Sequence, residues 1–446
     1  MTTATEFKSR FNTLATLALA ELLPDERASI TYSAERSAFM RFNNCKVRQT
    51  GTVEQAYLGM KLFRGAKTLS FQLGLSGIQD EDADRVATAI GSTRATMGLL
   101  PDDPYQVVPE AADSSDAHYE GSLLPESDIP ARILDPAKGL DFTGVYSQGS
   151  ICRGAANSAG ARHWFSTETF LVNYSAWLPN GRAVKSSYAG RTWSDDEYAK
   201  RLASTRMALE NLGKPEVTLK PGAYRAFVTA DALNEVVLFF SWNGLGERAL
   251  RQGESAYLAL REGRESFSPA FGLSQDFSLG VDPAFNEDGE LAPEQLILVE
   301  GGKLVNTIVS SRTAKQYEIH SNGATGDEGV RSVAIAAGSL AEAQAIKALG
   351  TGVFVSNFHY LNWSDVSSAR VTGMTRFSCL WVEGGKVVGP IKDMRWDESL
   401  YALFGSKLEA VTAERHLIVE SLTYEQRLTG GSLLPGILVD GLTFTL

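Results

Sequence analysis

The sequence predicts an α+β protein with two domains. A chain of 446 residues is too long for one compact core, because domains commonly hold about 100–200 residues. Strand patterns follow one another along most of the chain, and a few helical patterns interrupt them without the regular alternation of a doubly wound sheet. We place the boundary near 214–222. This gives an N-terminal mixed α/β domain over residues 1–215 and a β-rich C-terminal domain with a long core helix over residues 216–446.

The composition indicates a cytoplasmic protein. The 53 acidic side chains outnumber the 42 lysines and arginines, and the net charge of -11 opposes binding of nucleic acid over a broad surface. Three cysteines without metal-like spacing are typical of reduced thiols in the cytosol. The N-terminus shows no apolar signal segment. Apolar runs such as 236–240 are far shorter than the ~20 residues that span a bilayer, so we expect no membrane partner.

The first hundred residues predict a helix, several strands and a second helix. Residues 6–23 place apolar side chains at three- to five-residue steps, and Pro24 ends that helix. Alternating apolar residues over 56–62 and a second run over 68–73 predict a hairpin. Residues 80–97 predict the second helix.

The next hundred residues begin with the polar, acidic stretch 109–121, which is typical of a linker. Strands are predicted around 164–177, and the Pro-Asn-Gly sequence at 179–181 predicts a turn into the next strand. Ser194 and Glu197 have the spacing of a capping box, which opens a helix that runs to Leu212.

The C-terminal half starts with a strand over 223–228. A long core helix over 231–261 follows, and glycines at 244, 246 and 253 interrupt its pattern. After Pro269 the patterns are mostly those of strands with glycine turns. A further helix is predicted over 339–349.

Four segments of this half carry a resemblance to a known family. They are PGAYRAFVTADAL (221–233), LILVEGGKLVNTIVSSRTAKQYEIHSNGAT (296–325), GTGVFVSNFHYLNWSDVSSARVTGMTRFSCLWVEGGKVVGPIKDMR (350–395) and GSLLPGILVDGLTF (431–444). By their order and spacing, the chain resembles the TldD/PmbA (TldE) family of bacterial peptidase-complex proteins, also called the modulator-of-gyrase type. The N-terminal half agrees with this family in layout only.

The resemblance implies where a zinc motif would lie. In the catalytic member, TldD, the core helix carries H-E-x-x-x-H, whose histidines hold zinc while the glutamate takes a proton from zinc-bound water. Counting back from Gly253 and Ser255 places Leu238 and Phe239 at the His-Glu pair, and Asn243 at the second histidine. None of these side chains can replace an imidazole or a carboxylate.

The family's further zinc ligand, a cysteine near the C-terminus, is also missing, since residues 422–426 read LTYEQ. The resemblance therefore implies a TldE/PmbA-like member without catalytic residues, metal ligands or a cofactor of its own. Zinc is expected in a TldD-type partner. The gyrase name implies a link to DNA, but nothing in this acidic chain supports a DNA site.

Other chemical motifs are weak. No two of the five histidines are spaced to share a helical face, and Cys379 alternates with apolar residues as a core thiol does. The sequence has no G-x-S-x-G elbow and no phosphate-binding P-loop. Charged and aromatic residues next to the hairpins are candidates for a peptide channel or a subunit interface, and solvated strand ends are the alternative. They are His359, Tyr360, Thr375, Arg376, Asp393 and Arg395.

These patterns lead to one favoured function and two alternatives. The resemblance implies the non-zinc subunit of a TldD/TldE-type heterodimeric metallopeptidase, which acts on unfolded peptides in proteolysis and peptide maturation. A β-rich half could bind an extended peptide as an added strand at a sheet edge. The first alternative is a stand-alone homodimeric peptide-binding protein without catalysis. The second is an enzyme that uses residues with no recognised motif.

Overall fold

The fold consists of two β-sheets that follow one another along the chain. The structure is a computed structural model in which residues 3–445 are described. Its helices are α1 (Thr3–Ala20), α2 (Gln79–Met97), α3 (Ile129–Leu134), α4 (Asp195–Leu212), α5 (Ala230–Val237), α6 (Glu247–Gln252), α7 (Leu258–Arg261), α8 (Ser311–Tyr317) and α9 (Ala345–Leu349). Helices and strands are both abundant, and the C-terminal half is rich in sheet, so the predicted α+β class is confirmed.

The N-terminal sheet has seven strands. They are β1 (Glu26–Asn43), β2 (Lys46–Arg64), β3 (Lys67–Gly74), β4 (Ser114–Tyr119), β5 (Asp141–Asn157), β6 (Arg162–Trp177) and β7 (Ala183–Gly190). The order is β3-β2-β1-β5-β6-β4, with β7 also paired to β6. The predicted hairpin is confirmed as β2 and β3. The stretch predicted as a linker contains β4, a parallel edge strand on β6. Its short polar sequence resembles a loop because an edge strand needs little apolar surface.

Helices α1 and α2 cover part of this sheet. Phe7, Phe11 and Leu14 of α1 are buried at helical spacing and join the core that contains Tyr32 and Trp164. The helix begins and ends about three residues earlier than predicted, since it stops at Ala20 before the turn that leads to β1. The helix predicted over 80–97 is confirmed as α2.

The C-terminal sheet has thirteen strands. They are β8 (Gly222–Val228), β9 (Leu273–Asp276), β10 (Gln295–Glu300), β11 (Lys303–Leu304), β12 (Val333–Ile335), β13 (Gly352–Val355), β14 (Asn357–Asp365), β15 (Arg370–Arg376), β16 (Leu380–Glu383), β17 (Lys386–Pro390), β18 (Arg395–Ser399), β19 (Leu408–Val419) and β20 (Gly431–Phe444). Strand β20 pairs with β8, β12, β18 and β19, and it therefore holds the sheet together.

The predicted long core helix is broken into short pieces. Helix α5 passes into a single 3-10 turn at Leu238–Phe240 and then leaves the helical path. Asn243 has a positive φ of 49°, and a Cβ at Gly244 would lie 1.9 Å from the Phe240 carbonyl oxygen, so only glycine fits there. The helical pattern over 231–261 therefore describes three separate helices, α5, α6 and α7, and not one.

Two other helical predictions have different outcomes. The helix predicted from Ser194 to Leu212 is confirmed as α4, and the Ser194 hydroxyl accepts a hydrogen bond from the Glu197 amide, as an N-cap does. The helix predicted over 339–349 is shorter, with a 3-10 turn at Glu342–Gln344 before α9. Within residues 3–445, no helix is long and apolar enough to cross a membrane.

A buried ion pair joins the start of β1 to α2. Glu26 is buried, and its carboxylate accepts hydrogen bonds of 2.8 Å from Nε and Nη2 of Arg94 and of 2.9 Å from the Leu23 amide. The hydrogen bond from Arg94 lowers the pKa of Glu26, against the effect of burial. The charged form of Glu26 is therefore the form that stabilises this corner of the fold.

We expect Glu26→Gln to destabilise the protein by about 2 kcal/mol at pH 7, because Arg94 loses its charged partner. A carboxylate with a lowered pKa stabilises the fold above its unfolded pKa of about 4 and loses that effect as the pH falls through its folded pKa. The difference between variant and wild type should therefore shrink below about pH 4. Chemical denaturation across pH measures it. Glu110→Gln, at an exposed loop position, is the control and should show no such loss.

Candidate functional site

A cleft of ≈ 610 Å³ lies between the two sheets. One wall consists of residues of β6 and β7, including Asn173 and Lys185, and the opposite wall consists of α5 and the segment 330–333. The loop over 420–430, which joins β19 to β20, closes one side. The cleft therefore depends on how both halves of the chain pack together.

The cleft continues into neighbouring cavities. A cavity of ≈ 270 Å³ shares Leu171, Asn173 and Ser421 with it. A second cavity, of ≈ 500 Å³, shares Val330 and Arg331 on the other side. Together these spaces form a groove between the halves, which we call the interdomain groove.

Carboxylates dominate the charge of the cleft. Asp231 and Glu235 are one helical turn apart on α5, and both line the cleft. Burial raises the pKa of Asp231, although the charges of Arg201, His416 and Lys185 oppose this effect. Asp282 is also buried with a raised pKa, and Arg331 lies 3.7 Å from its carboxylate. The cleft is therefore suited to cationic groups more than to anionic ones.

Two buried polar atoms of lining residues have no partner among residues 3–445. Nη2 of Arg331 makes no hydrogen bond, whereas Nη1 of the same side chain donates to the carbonyls of Pro283 and Phe285. Oδ1 of Asn357 accepts none, and Asn357 is only 7% exposed. An unpaired buried donor and an unpaired buried acceptor are costly, and both belong to side chains that line the cleft.

Arg427 anchors the 420–430 loop in the N-terminal sheet. Its guanidinium is buried and donates to the Ser37 hydroxyl, to the Gly149 carbonyl, and to both the carbonyl and the hydroxyl of Thr169. Its backbone amide donates to the Glu35 carboxylate. Burial lowers the pKa of Arg427 to about 10, so the group stays charged at neutral pH. This side chain fixes the loop that closes the cleft.

Of the three predicted zinc-motif positions, Leu238 lines this cleft, and Phe239 and Asn243 do not. Leu238 is 57% exposed, so its side chain is not packed into the core. Phe239 is fully buried and packs against Trp242 and Trp363. Asn243 lies outside the helix, and its Nδ2 donates to the Glu254 carbonyl.

Leu238 lines the same cleft as Glu420 and Ser421. These two residues directly precede the segment 422–426, where the family cysteine was expected, and no residue of that segment lines the cleft. The side chains present do not fit zinc, because leucine and phenylalanine offer no donor atom. Within residues 3–445, no group of three or more histidines, cysteines, aspartates and glutamates is placed to hold a metal ion.

The predicted channel or interface residues gather at one end of three adjacent strands, β14, β15 and β18. His359 is opposite Met374 in the β14–β15 pair, and Met374 is opposite Arg395 in the β15–β18 pair. Tyr360 is 82% exposed with a positive φ of 53°, at a bulge in β14, and its ring contacts that of His359.

The remaining three residues have different environments. Thr375 is fully buried, and its hydroxyl accepts a hydrogen bond of 2.9 Å from the Met394 amide, which is a structural role. Arg376 and Asp393 are exposed and lie 3.9 Å apart, at the distance of a weak surface ion pair. Asp393 precedes β18, whose first residue, Arg395, donates to the Thr372 hydroxyl. None of the six lines the cleft.

Sequence reasoning did not single out Asp231, Arg331, Asn357 or Arg427. Asp231 follows the N-cap of a helix, a position where aspartate is common for local reasons. Arg331 and Asn357 come from distant segments and meet at the cleft only in the folded chain, and Arg427 reaches its partners in the N-terminal sheet in the same way. The Glu-Gln-Arg sequence at 425–427 did not predict a buried arginine, because single arginines in loops are common and usually exposed.

Comparison with known proteins places this fold in a metallopeptidase class. A sequence model described as the PmbA/TldA metallopeptidase C-terminal domain matches residues 221–446, about half of the chain. The chain belongs to the PmbA/TldD family. No curated protein matches the sequence significantly.

Three solved structures share the fold. TldE from Thermococcus kodakarensis has a TM-score of 0.76 at 13% identity and covers 98% of this chain and 100% of its own. A candidate modulator of a DNA gyrase from Thermotoga maritima has a TM-score of 0.73 at 15% identity, with 98% and 100% covered. A candidate modulator of DNA gyrase from Bacteroides thetaiotaomicron has a TM-score of 0.73 at 16% identity, with 98% of each chain covered. At these identities the likeness establishes the fold alone.

We expect the two zinc-motif positions to respond differently to rebuilding. Leu238→His should change the unfolding free energy by less than about 0.5 kcal/mol, because Leu238 is exposed. Phe239→Glu should cost about 3 kcal/mol or more, because it buries an unpaired carboxylate among aromatic rings. Denaturant melts of the two single variants test this difference. Equal stability of both variants would contradict the placement of these side chains.

The second prediction for this site concerns Arg427. Arg427→Met should destabilise the protein by about 3 kcal/mol, because it removes four hydrogen bonds to the N-terminal sheet. The 420–430 loop should then become more sensitive to limited proteolysis than the rest of the chain. Arg41→Met, at an exposed position of β1, is the matched control. Unchanged cleavage of the loop in Arg427→Met would show that other contacts hold it.

Proposed function

We propose that this chain is the non-zinc subunit of a TldD/TldE-type heterodimeric metallopeptidase complex, and that its interdomain groove binds unfolded peptides. The observation that supports this most is the cleft itself, which is lined by polar side chains from both halves of the chain, Asn173, Lys185 and Asn357 among them. A peptide backbone carries one N–H and one C=O per residue and can bond to such side chains whatever its own sequence. The groove therefore suits sequence-independent binding.

The charge of the cleft indicates which charge a bound peptide should carry. Asp231 and Glu235 have no ion pair among residues 3–445, whereas Arg331 is already paired with Asp282. Lys185 is the other basic side chain that lines the cleft. Excess carboxylate favours a segment with lysine, arginine or a free N-terminal amine. We infer a preference for basic unfolded peptides over acidic ones.

The catalytic metal is assigned to a partner because the motif positions here carry Leu238, Phe239 and Asn243. A TldD-like subunit would supply zinc, and this chain would supply part of the peptide path. The proposal keeps the division into domains at 1–215 and 216–446, and a cytoplasmic location. It has no role for nucleic acid.

The contact with the partner is assigned to the end of β14, β15 and β18. Tyr360 is a large exposed aromatic side chain beside His359, and Arg376, Asp393 and Arg395 surround it with charge. An exposed aromatic residue within a charged rim is a common composition for an interface. Strand β14 pairs with β15 alone among the described strands, so its other edge is available for strand addition.

The test is to purify the tagged chain with its natural partner and measure zinc in each subunit, followed by peptide hydrolysis. We expect about one zinc per partner subunit and none in this chain. Asn357→Leu in the complex should weaken binding of a basic peptide about tenfold, because it removes an amide side chain that lines the cleft. The zinc content should not change.

Asn362→Leu is the matched control, since it lies on the same strand, is exposed and does not line the cleft. Recovery of a homodimer that binds peptides without any zinc-bearing partner would support the stand-alone binding protein instead. Tightly held zinc in this chain itself would contradict the proposal. If Asn357→Leu and wild type bind the peptide with equal affinity, the peptide does not bind at this groove.

A further inference from the structure

Three asparagines of the chain directly precede a glycine. They are Asn180, Asn243 and Asn322. The backbone nitrogen of the following residue can attack an asparagine side chain, and a glycine there has no side chain to obstruct the approach. The sequence therefore contains three candidate sites of deamidation, and the structure decides which of them can react.

Asn180 and Gly181 both lie exposed in the turn between β6 and β7. Gly181 has a positive φ of 83°, and a Cβ built on it would meet no atom within 4 Å other than its chain neighbours, so the turn is open. Oδ1 of Asn180 accepts a hydrogen bond of 3.1 Å from the Arg182 amide, and Nδ2 has no acceptor within residues 3–445. The Gly181 amide donates to the Leu178 carbonyl, a turn hydrogen bond that opens easily at an exposed tip.

The side chain of Asn322, in contrast, is held at both ends. Its Oδ1 accepts a hydrogen bond of 2.9 Å from the Val309 amide, and its Nδ2 donates one of 2.7 Å to the Thr307 carbonyl. Gly323 is buried, and a Cβ there would lie 2.5 Å from the Ala292 nitrogen. Ring closure at this position therefore requires that the surrounding loop first opens.

Asn243 is restrained by its own hydrogen bond and by the packing of the next residue. Its Nδ2, the atom that deamidation removes, donates to the Glu254 carbonyl at 3.1 Å. Gly244 is buried, and a Cβ there would lie 1.9 Å from the Phe240 carbonyl oxygen. The backbone here is too closely packed to rearrange without local opening, so the structure leaves one reactive position of the three.

We propose that Asn180 is a site of spontaneous deamidation in the folded chain. The Gly181 nitrogen gives its proton to solvent base and forms a bond to Cγ of Asn180. The Cγ–Nδ2 bond breaks, and Nδ2 takes a proton from water and leaves as ammonia. Water then adds to one of the two carbonyls of the five-membered cyclic imide, whose ring opens to aspartate or isoaspartate. The net reaction consumes one water and releases one ammonia, and it does not depend on the proposed function.

The modification changes the end of a hairpin whose strands form one wall of the interdomain groove. The Leu178 amide closes the turn with a hydrogen bond of 2.8 Å to the Arg182 carbonyl. Isoaspartate adds a methylene to the backbone within this turn, so the closing hydrogen bond should be lost. The new carboxylate also lies near Arg182, whose guanidinium pairs with Glu216 in the segment that joins α4 to β8.

Incubation of the purified folded chain in mildly alkaline buffer, followed by proteolytic digestion and mass spectrometry, tests the proposal. We expect the peptide that contains Asn180 to convert at least about tenfold faster than the peptides with Asn243 and Asn322, because restrained side chains react only after local opening. In denaturant, all three should convert at similar rates, since each asparagine then differs little from the others in its surroundings.

Asn180→Asp should abolish the early release of ammonia from the folded chain. Asn362→Asp is the matched control, because Asn362 is also exposed but precedes a tryptophan, so the release should stay at the wild-type level. Conversion of Asn243 or Asn322 as fast as Asn180 in the folded chain would overturn the selection by structure. An unchanged Asn180, over a period in which the denatured chain converts, would overturn the site itself.

Discussion

The burial of Arg427 in the N-terminal sheet is the contact on which the functional geometry depends. A charged guanidinium leaves water only when hydrogen bonds replace its hydration, and this one finds acceptors on β1, β5 and β6. In return, the loop between β19 and β20 cannot move away from the sheet. The cleft therefore has a fixed wall on the side of this loop. The ion pair of Lys61 with Asp288 is one of the other contacts that join the two halves.

The cleft is open at Leu238, the residue at the first expected zinc-motif position. Leu238 faces the space that it shares with Glu420 and Ser421. Phe239, in contrast, has become part of an aromatic core with Trp242 and Trp363.

The sequence was informative where local rules decide the structure. The hairpin of β2 and β3, the helices α2 and α4, and the family followed from periodicity, caps and ordered motifs. The break after Phe240 was missed because apolar spacing continues across it, while Asn243 and Gly244 turn the backbone. The cleft itself could not be predicted, because Lys185, Asp231, Arg331 and Asn357 meet only through long-range packing.

The position of β20 in the C-terminal sheet has a consequence for synthesis on the ribosome. Strands β8 and β20 pair with each other, yet about 200 residues separate them along the chain. At roughly 5–20 residues per second, β8 waits roughly 10–40 s for its partner. The N-terminal sheet, which uses only residues 26–190, can be complete by then. During that interval the apolar face of α5 and its neighbours has no sheet to cover it, so the nascent chain is expected to need chaperone protection at this stage.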